Sequence, residues 1–145
     1  MVELAFPAWR RGWLFATILF GIVACSAAAM PELAPPAGTQ RYVEERSFNP
    51  LIDAAETELL GDLRRDYGTL ETQRWTVPRS LDFSALVAHY RAQLGNGWKE
   101  DSRLAGPSNT NPRVLFTRDR KVVALVYVAP SGADIAVLIV AQSAK

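Results

Sequence analysis

Two stretches near the C-terminus limit what this chain can fold into. Val122 to Val128 and Ile135 to Ala141 are apolar at nearly every position and rich in Val, Ile and Leu. A strand with one face in water alternates apolar and polar residues, because successive side chains point to opposite faces. A strand that is apolar on consecutive residues needs cover on both faces. Lys121–Ala129 and Ala133–Ala141 therefore read as central strands, with Arg113–Arg118 before them. Asp119-Arg120 turns the first hairpin, and Pro130-Ser131-Gly132 the second.

Upstream, Asn49-Pro50 marks a helix start, with Asn as cap and Pro at the first helical position. From Leu51 to about Asp66, Ile52, Ala55, Leu59 and Leu63 recur at helical spacing, and Glu56, Glu58, Asp62 and Arg65 take the other faces. Gly61 weakens this helix by about 1 kcal/mol relative to Ala, which predicts a bend or fraying there, and Gly68 ends it. Thr69 to Val77 alternates, with Gln73, Trp75 and Val77 on one side and Thr72, Arg74 and Thr76 on the other, and Pro78 stops the strand. Ser80 or Asp82 caps a second helix, in which Phe83, Leu86, Val87, Tyr90 and Leu94 form the clearest apolar stripe of the chain. Gly95 ends it, and a polar, breaker-rich loop follows from Lys99 to Pro112. The expected fold is α+β: a small two-layer domain over residues 50–145, in the order α-β-α-β-β-β, with a mainly antiparallel sheet of about four strands packed by two helices.

The N-terminal part has a different character. Arg10 and Arg11 precede the uncharged run Trp13 to Ala24, and Ile22-Val23-Ala24-Cys25 closes it. The run is shorter than the roughly 20 residues a spanning helix needs, so it reads as the apolar region of a secretory signal. Ile22-Val23-Ala24-Cys25 resembles the lipobox of bacterial lipoproteins. That resemblance implies that residues 1–24 are cleaved and that Cys25 becomes the acylated N-terminus, anchored in the membrane through its chains. Each buried methylene contributes about 0.8 kcal/mol, and one chain alone binds only marginally; lipoproteins of this class carry two or three. Ser26, where inner-membrane retention would favour Asp, implies the outer membrane, facing the periplasm. Arg10-Arg11-Gly12-Trp13-Leu14 also looks like a twin-arginine export motif, but Trp13 stands where Phe is usual, and the strongly apolar run favours general secretion. Residues 25–49 read as the lipidated Cys and a flexible tether: Ser26 to Pro31 and Ala34 to Gly38 have no apolar period and several prolines. Extended at about 3.1 Å per residue, such a tether would hold the domain tens of ångströms from the bilayer. Tyr42, Val43 and Phe48, near its end, are candidates for docking on the domain.

Charge and cysteine content narrow the function. Losing Arg10, Arg11 and Glu3 with the signal brings the 16 basic and 15 acidic residues to equal numbers. A neutral domain lacks the basic surface on which nucleic-acid affinity rests. Cys25 is the only cysteine, so a disulfide within the chain and a Cys-rich metal site are both excluded. No motif for a bound cofactor or phosphate is present.

His89 is the only histidine and lies at the edge of the apolar stripe. One His makes a poor zinc site, and Ser84 or Ser80 with Asp82 lacks the setting of a nucleophilic serine. Glu44-Glu45 and the Glu56, Glu58, Asp62 group could pair for glycoside hydrolysis, but a tether and an outer helix face predict solvated charges. Arg113, Arg118, Arg120 and Lys121 gather around the first hairpin, a basic tip suited to lipid phosphates or an acidic partner. Trp75 and Trp98 read as core anchors, or as contact residues if exposed. Tyr90-Arg91-Ala92-Gln93-Leu94, followed by Trp98 and two apolar hairpin strands, is similar to small, poorly characterised proteobacterial lipoproteins over residues 75–140, which implies fold and location but no activity. The expectation is a non-enzymatic, lipid-anchored binding or accessory module for another envelope component, with Arg118, Arg120 and Lys121 as contact residues. A small-ligand or lipid-binding domain is the alternative, and an envelope hydrolase a weaker one.

Overall fold

A computed structural model describes residues 29–44, 49–104 and 111–144. Its centre is one antiparallel sheet, of α+β class with two helices. The strands are β1 (Gln40–Arg41), β2 (Leu70–Pro78), β3 (Lys99–Asp101), β4 (Arg113–Arg118), β5 (Lys121–Val128) and β6 (Ile135–Ser143), in the spatial order β1-β2-β6-β5-β4-β3. Helix α1 covers Asn49–Tyr67 and α2 covers Phe83–Leu94. β3 to β6 form a meander that carries the chain back across the sheet. β6 then pairs with β2 from Leu70↔Ser143 to Pro78↔Ile135.

The sheet has six strands where about four were expected. The two extra strands are two and three residues long, polar and exposed at the sheet's outer edges, so no apolar alternation announces them. The two-layer expectation is also corrected. Val122, Ala124 and Val126 pack with Ile52, Leu59 and Leu63 of α1, whereas Val123 and Leu125 pack with Leu86, Tyr90 and Leu94 of α2. Along β6, Val137, Ile139 and Ala141 join the first cluster, and Leu138 and Val140 the second. Consecutive residues thus feed two cores on opposite faces, with a helix on each: three layers. That is what the continuous apolar runs require. Fully burying one such Val or Leu contributes about 1.5–3 kcal/mol.

Both helices follow the sequence closely. Ile52, Ala55, Leu59 and Leu63 are the buried residues of α1. The helix runs on through Gly61, whose surroundings are open, and Gly68 ends it at φ 72°, its N–H donating to the Arg64 carbonyl. Asn49 is already helical, and its side chain accepts the Tyr42 hydroxyl at 2.8 Å. Asp82 caps α2, its carboxylate accepting the Ala85 N–H at 2.7 Å, and Gly95 terminates the helix at φ 68°.

The segment read as a free tether is docked over residues 29–44. Met30 and Pro36 are buried, and Leu33 packs against the α2-side core. The Ala34 N–H donates to Gln93 Oε1 at 2.7 Å, and Gln93 Nε2 donates back to the Ala34 carbonyl at 2.9 Å. After a turn at Pro36–Thr39 with Gly38 at φ 80°, the chain pairs with the edge of β2 as β1. Composition hides this docking, because a few anchoring side chains and backbone bonds secure a segment with no period of its own. Tyr42 joins the α1-side core while Val43 stays 78% exposed; Phe48 lies outside the described residues.

Candidate functional site

Cys25 and the rest of the lipobox lie outside the described residues. Among the described residues, no helix is long and apolar enough to cross a membrane.

The basic hairpin is formed by the end of β4 and the start of β5, with Arg118 opposite Lys121 and Asp119 in the left-handed region at φ 54°. The Arg118 guanidinium lies over Gly97, where a Cβ would meet its Nε at 3.5 Å. Arg118 and Lys121 are half-buried and Arg120 is exposed, and none of the three forms an ion pair among the described residues. The register Lys99↔Thr117 puts Lys99 on the other face of the sheet from Arg118, outside this group. Arg113 does not belong to this group. It sits at the other end of β4, with its side chain only 13% exposed. It donates to the Leu104 carbonyl at 2.8 Å and pairs with Glu58 at 3.1 Å and Asp62 at 3.3 Å.

Of the α1 carboxylates, Glu58 and Asp62 keep exposed side chains, as a solvated face predicts, whereas Glu56 is only 14% exposed. Glu56 accepts Arg74 Nε at 2.6 Å and the Thr72 hydroxyl at 2.7 Å, and Arg74 also pairs with Asp53 at 2.8 Å. At the far end of the helix, Arg103 joins Asp66, Asp101 and the Tyr67 hydroxyl. The loop after β3 therefore starts as an ordered turn, Ser102–Leu104, with Leu104 buried. These contacts clip α1 to the sheet and to this turn.

The histidine and serines do not converge. Ser84 donates to the capping carboxylate of Asp82 at 2.9 Å, and the Ala85 N–H with Ser84 holds that carboxyl below the usual range. His89 Nε2 lies 3.0 Å from the Ala34 carbonyl and 2.7 Å from Gln93 Nε2, so it belongs to the docking of the N-terminal segment. Among the described residues, no group of three His, Cys, Asp or Glu side chains could hold a metal ion.

Among the described residues, a groove with several polar side chains free of ion pairs lies on the α2 side of β2 and β6. Alternation places Glu71, Gln73 and Trp75 of β2 on that face, with Gln142 of β6 opposite Glu71 and Arg41 of β1 opposite Trp75. With Glu32 to Pro35 as its wall, they line a groove of about 610 Å³, within the ordinary size of small-ligand sites. Trp75 is half-buried, one part against the α2-side core and the rest on the groove. Trp98 is half-buried against the same core, as an anchor. Sequence reasoning missed the groove because its wall comes from the segment read as tether.

Comparison with protein families, curated proteins and solved structures finds no match to this chain. The functional reading therefore rests on its own residues.

Proposed function

We propose that this chain is a lipid-anchored protein of the bacterial envelope, cleaved before Cys25 and acylated there, whose α+β domain serves as a non-enzymatic binding module. The sequence Ile22-Val23-Ala24-Cys25 after an apolar run supports the anchor. The observation that carries the mode of action is the docking of the N-terminal segment. Met30 is buried, and only residues 26–29 separate it from Cys25. Five extended steps span at most about 18 Å, so the anchor holds the domain against the bilayer instead of paying out a long tether. The uncommitted hairpin cations Arg118, Arg120 and Lys121 are then available to an acidic envelope partner or to lipid phosphates in the same membrane. Outer-membrane placement follows from Ser26 after the anchor.

The test is fractionation of cells expressing the protein with and without Cys25→Ser. The anchored form should pellet with membranes and be released only by detergent, with the Cys25→Ser form recovered unanchored. Equal membrane retention of both forms would reject the acyl anchor. Crosslinking of the intact protein in cells, repeated with Arg118→Glu/Arg120→Glu, tests the contact surface. Capture of one envelope protein that the double variant loses is expected. A captured set unchanged by the variant would remove the hairpin from the proposal.

A further inference from the structure

Two buried polar residues close β6: Ser143 Oγ accepts the Val122 N–H at 2.9 Å, and the side chain of Gln142 stands apart. It is 7% exposed, yet it makes no hydrogen bond among the described residues. No buried polar side-chain atom among the described residues lacks both solvent and a partner, so the amide's access runs through the groove it lines. An apolar residue in its place would match Leu138 and Val140, which share its face.

Around this amide stand Gln73, the carboxylates of Glu71 and Glu32, the guanidinium of Arg41 and the ring of Trp75. None of the two acids and the arginine forms an ion pair among the described residues. The set suits a particular ligand chemistry. Two carboxylates beside one arginine leave the lining net negative, which disfavours anionic ligands, phosphate-rich ones most. A long acyl chain would need an enclosed apolar tunnel, whereas this groove is open and interleaves Glu32, Arg41, Glu71, Gln73 and Gln142 with its apolar side chains. Planar amides and carboxylates offer paired donors and acceptors at fixed spacing, which match vicinal hydroxyls. An aromatic surface beside them supplies contact area with little entropy to lose. A primary amide also pairs reciprocally with an acetamido group, donating to its carbonyl and accepting its N–H.

We infer that the groove between residues 32–35 and the β2–β6 pair is a binding site for a neutral saccharide bearing N-acetyl groups, with Gln142 reading the acetamido group and Trp75 contacting the sugar's apolar side. The site stands on the groove alone, and it exists whether or not Cys25 is acylated. It places ligand recognition on the face closed by the docked N-terminal segment, so a ligand there touches the segment and the sheet together.

The experiment is calorimetric titration of the full-length protein in detergent with N,N′,N″-triacetylchitotriose, beside the deacetylated trisaccharide. Saturable binding of the acetylated sugar is expected. Gln142→Leu should weaken it by about 10-fold or more, the loss of one well-made hydrogen-bond pair, while Tm stays the same or rises. Glu71→Gln, at an exposed position, should weaken binding without altering Tm and serves as the second variant. Three results would overturn the assignment: no saturable binding of the acetylated sugar, equal binding of the deacetylated one, or affinity unchanged in both variants. A lower Tm in Gln142→Leu would show that the amide is structural, and would remove it from the site.

Discussion

Single side chains separate what is structural in this domain from what is free to act. Gly61 lies in the middle of α1, exposed, with nothing within 4 Å of where a Cβ would be. Gly61→Ala should therefore stabilise the protein by about 1 kcal/mol, seen as a higher urea midpoint with unchanged slope; a lower midpoint would mean that the helix needs glycine there. Tyr90 is 1% exposed, and burial pushes its phenol up to about 12 from the ordinary 10. The folded state holds that proton more tightly than the unfolded chain, so its contribution is complete below pH 10 and is lost as pH rises towards 12. Stability should fall across that window, and Tyr90→Phe should flatten the fall when denaturation midpoints are compared from pH 9 upwards. An equally steep fall in the variant would place the alkaline sensitivity elsewhere.

The secondary-structure elements were legible in the sequence to very different degrees. α1 and α2 were plain because their apolar positions recur with helical period and their ends carry Asp82, Gly68 and Gly95. The central strands were plain because Val122–Val128 and Ile135–Ala141 are apolar on consecutive residues. That same feature implied a helix on each face, and the two-layer reading overlooked it. β1 and β3 could not be read, since Gln40–Arg41 and Lys99–Asp101 owe their conformation to the edges they pair with. Arg113 was misplaced because five residues along a strand move a side chain about 17 Å, from the hairpin to the acids of α1. The docked N-terminal segment escaped for a related reason: its partners Gln93 and His89 lie more than fifty residues away. Gln93→Ala should remove both bonds to Ala34 and speed hydrogen exchange at the Ala34 amide, with the amides of β5 unaffected. Unchanged exchange at Ala34 would mean that the other anchors, Met30, Leu33, Pro36 and His89, hold the segment without Gln93.

For the whole molecule, the two cores and the docked segment combine into a proposed division of labour. α1 and its ion pairs close one face of the sheet; α2 and residues 29–36 close the other and tie the domain to its N-terminus. In the functional proposal, the domain then rides close to the bilayer, with the hairpin cations and the β2–β6 groove as its two recognition surfaces. The groove could not be assembled from sequence alone, because it joins distant segments through strand register, whereas the hairpin cations are near neighbours in the chain. The proposed location, by contrast, rests on four consecutive residues ending at Cys25. Mass analysis of the N-terminal peptide of the protein isolated from its native membrane tests whether Cys25 is the acylated N-terminus. The expected peptide begins at Cys25 and is heavier than its sequence by at least a diacylglyceryl group. A peptide that retains residues 1–24, with an unmodified thiol at Cys25, would contradict the acyl anchor.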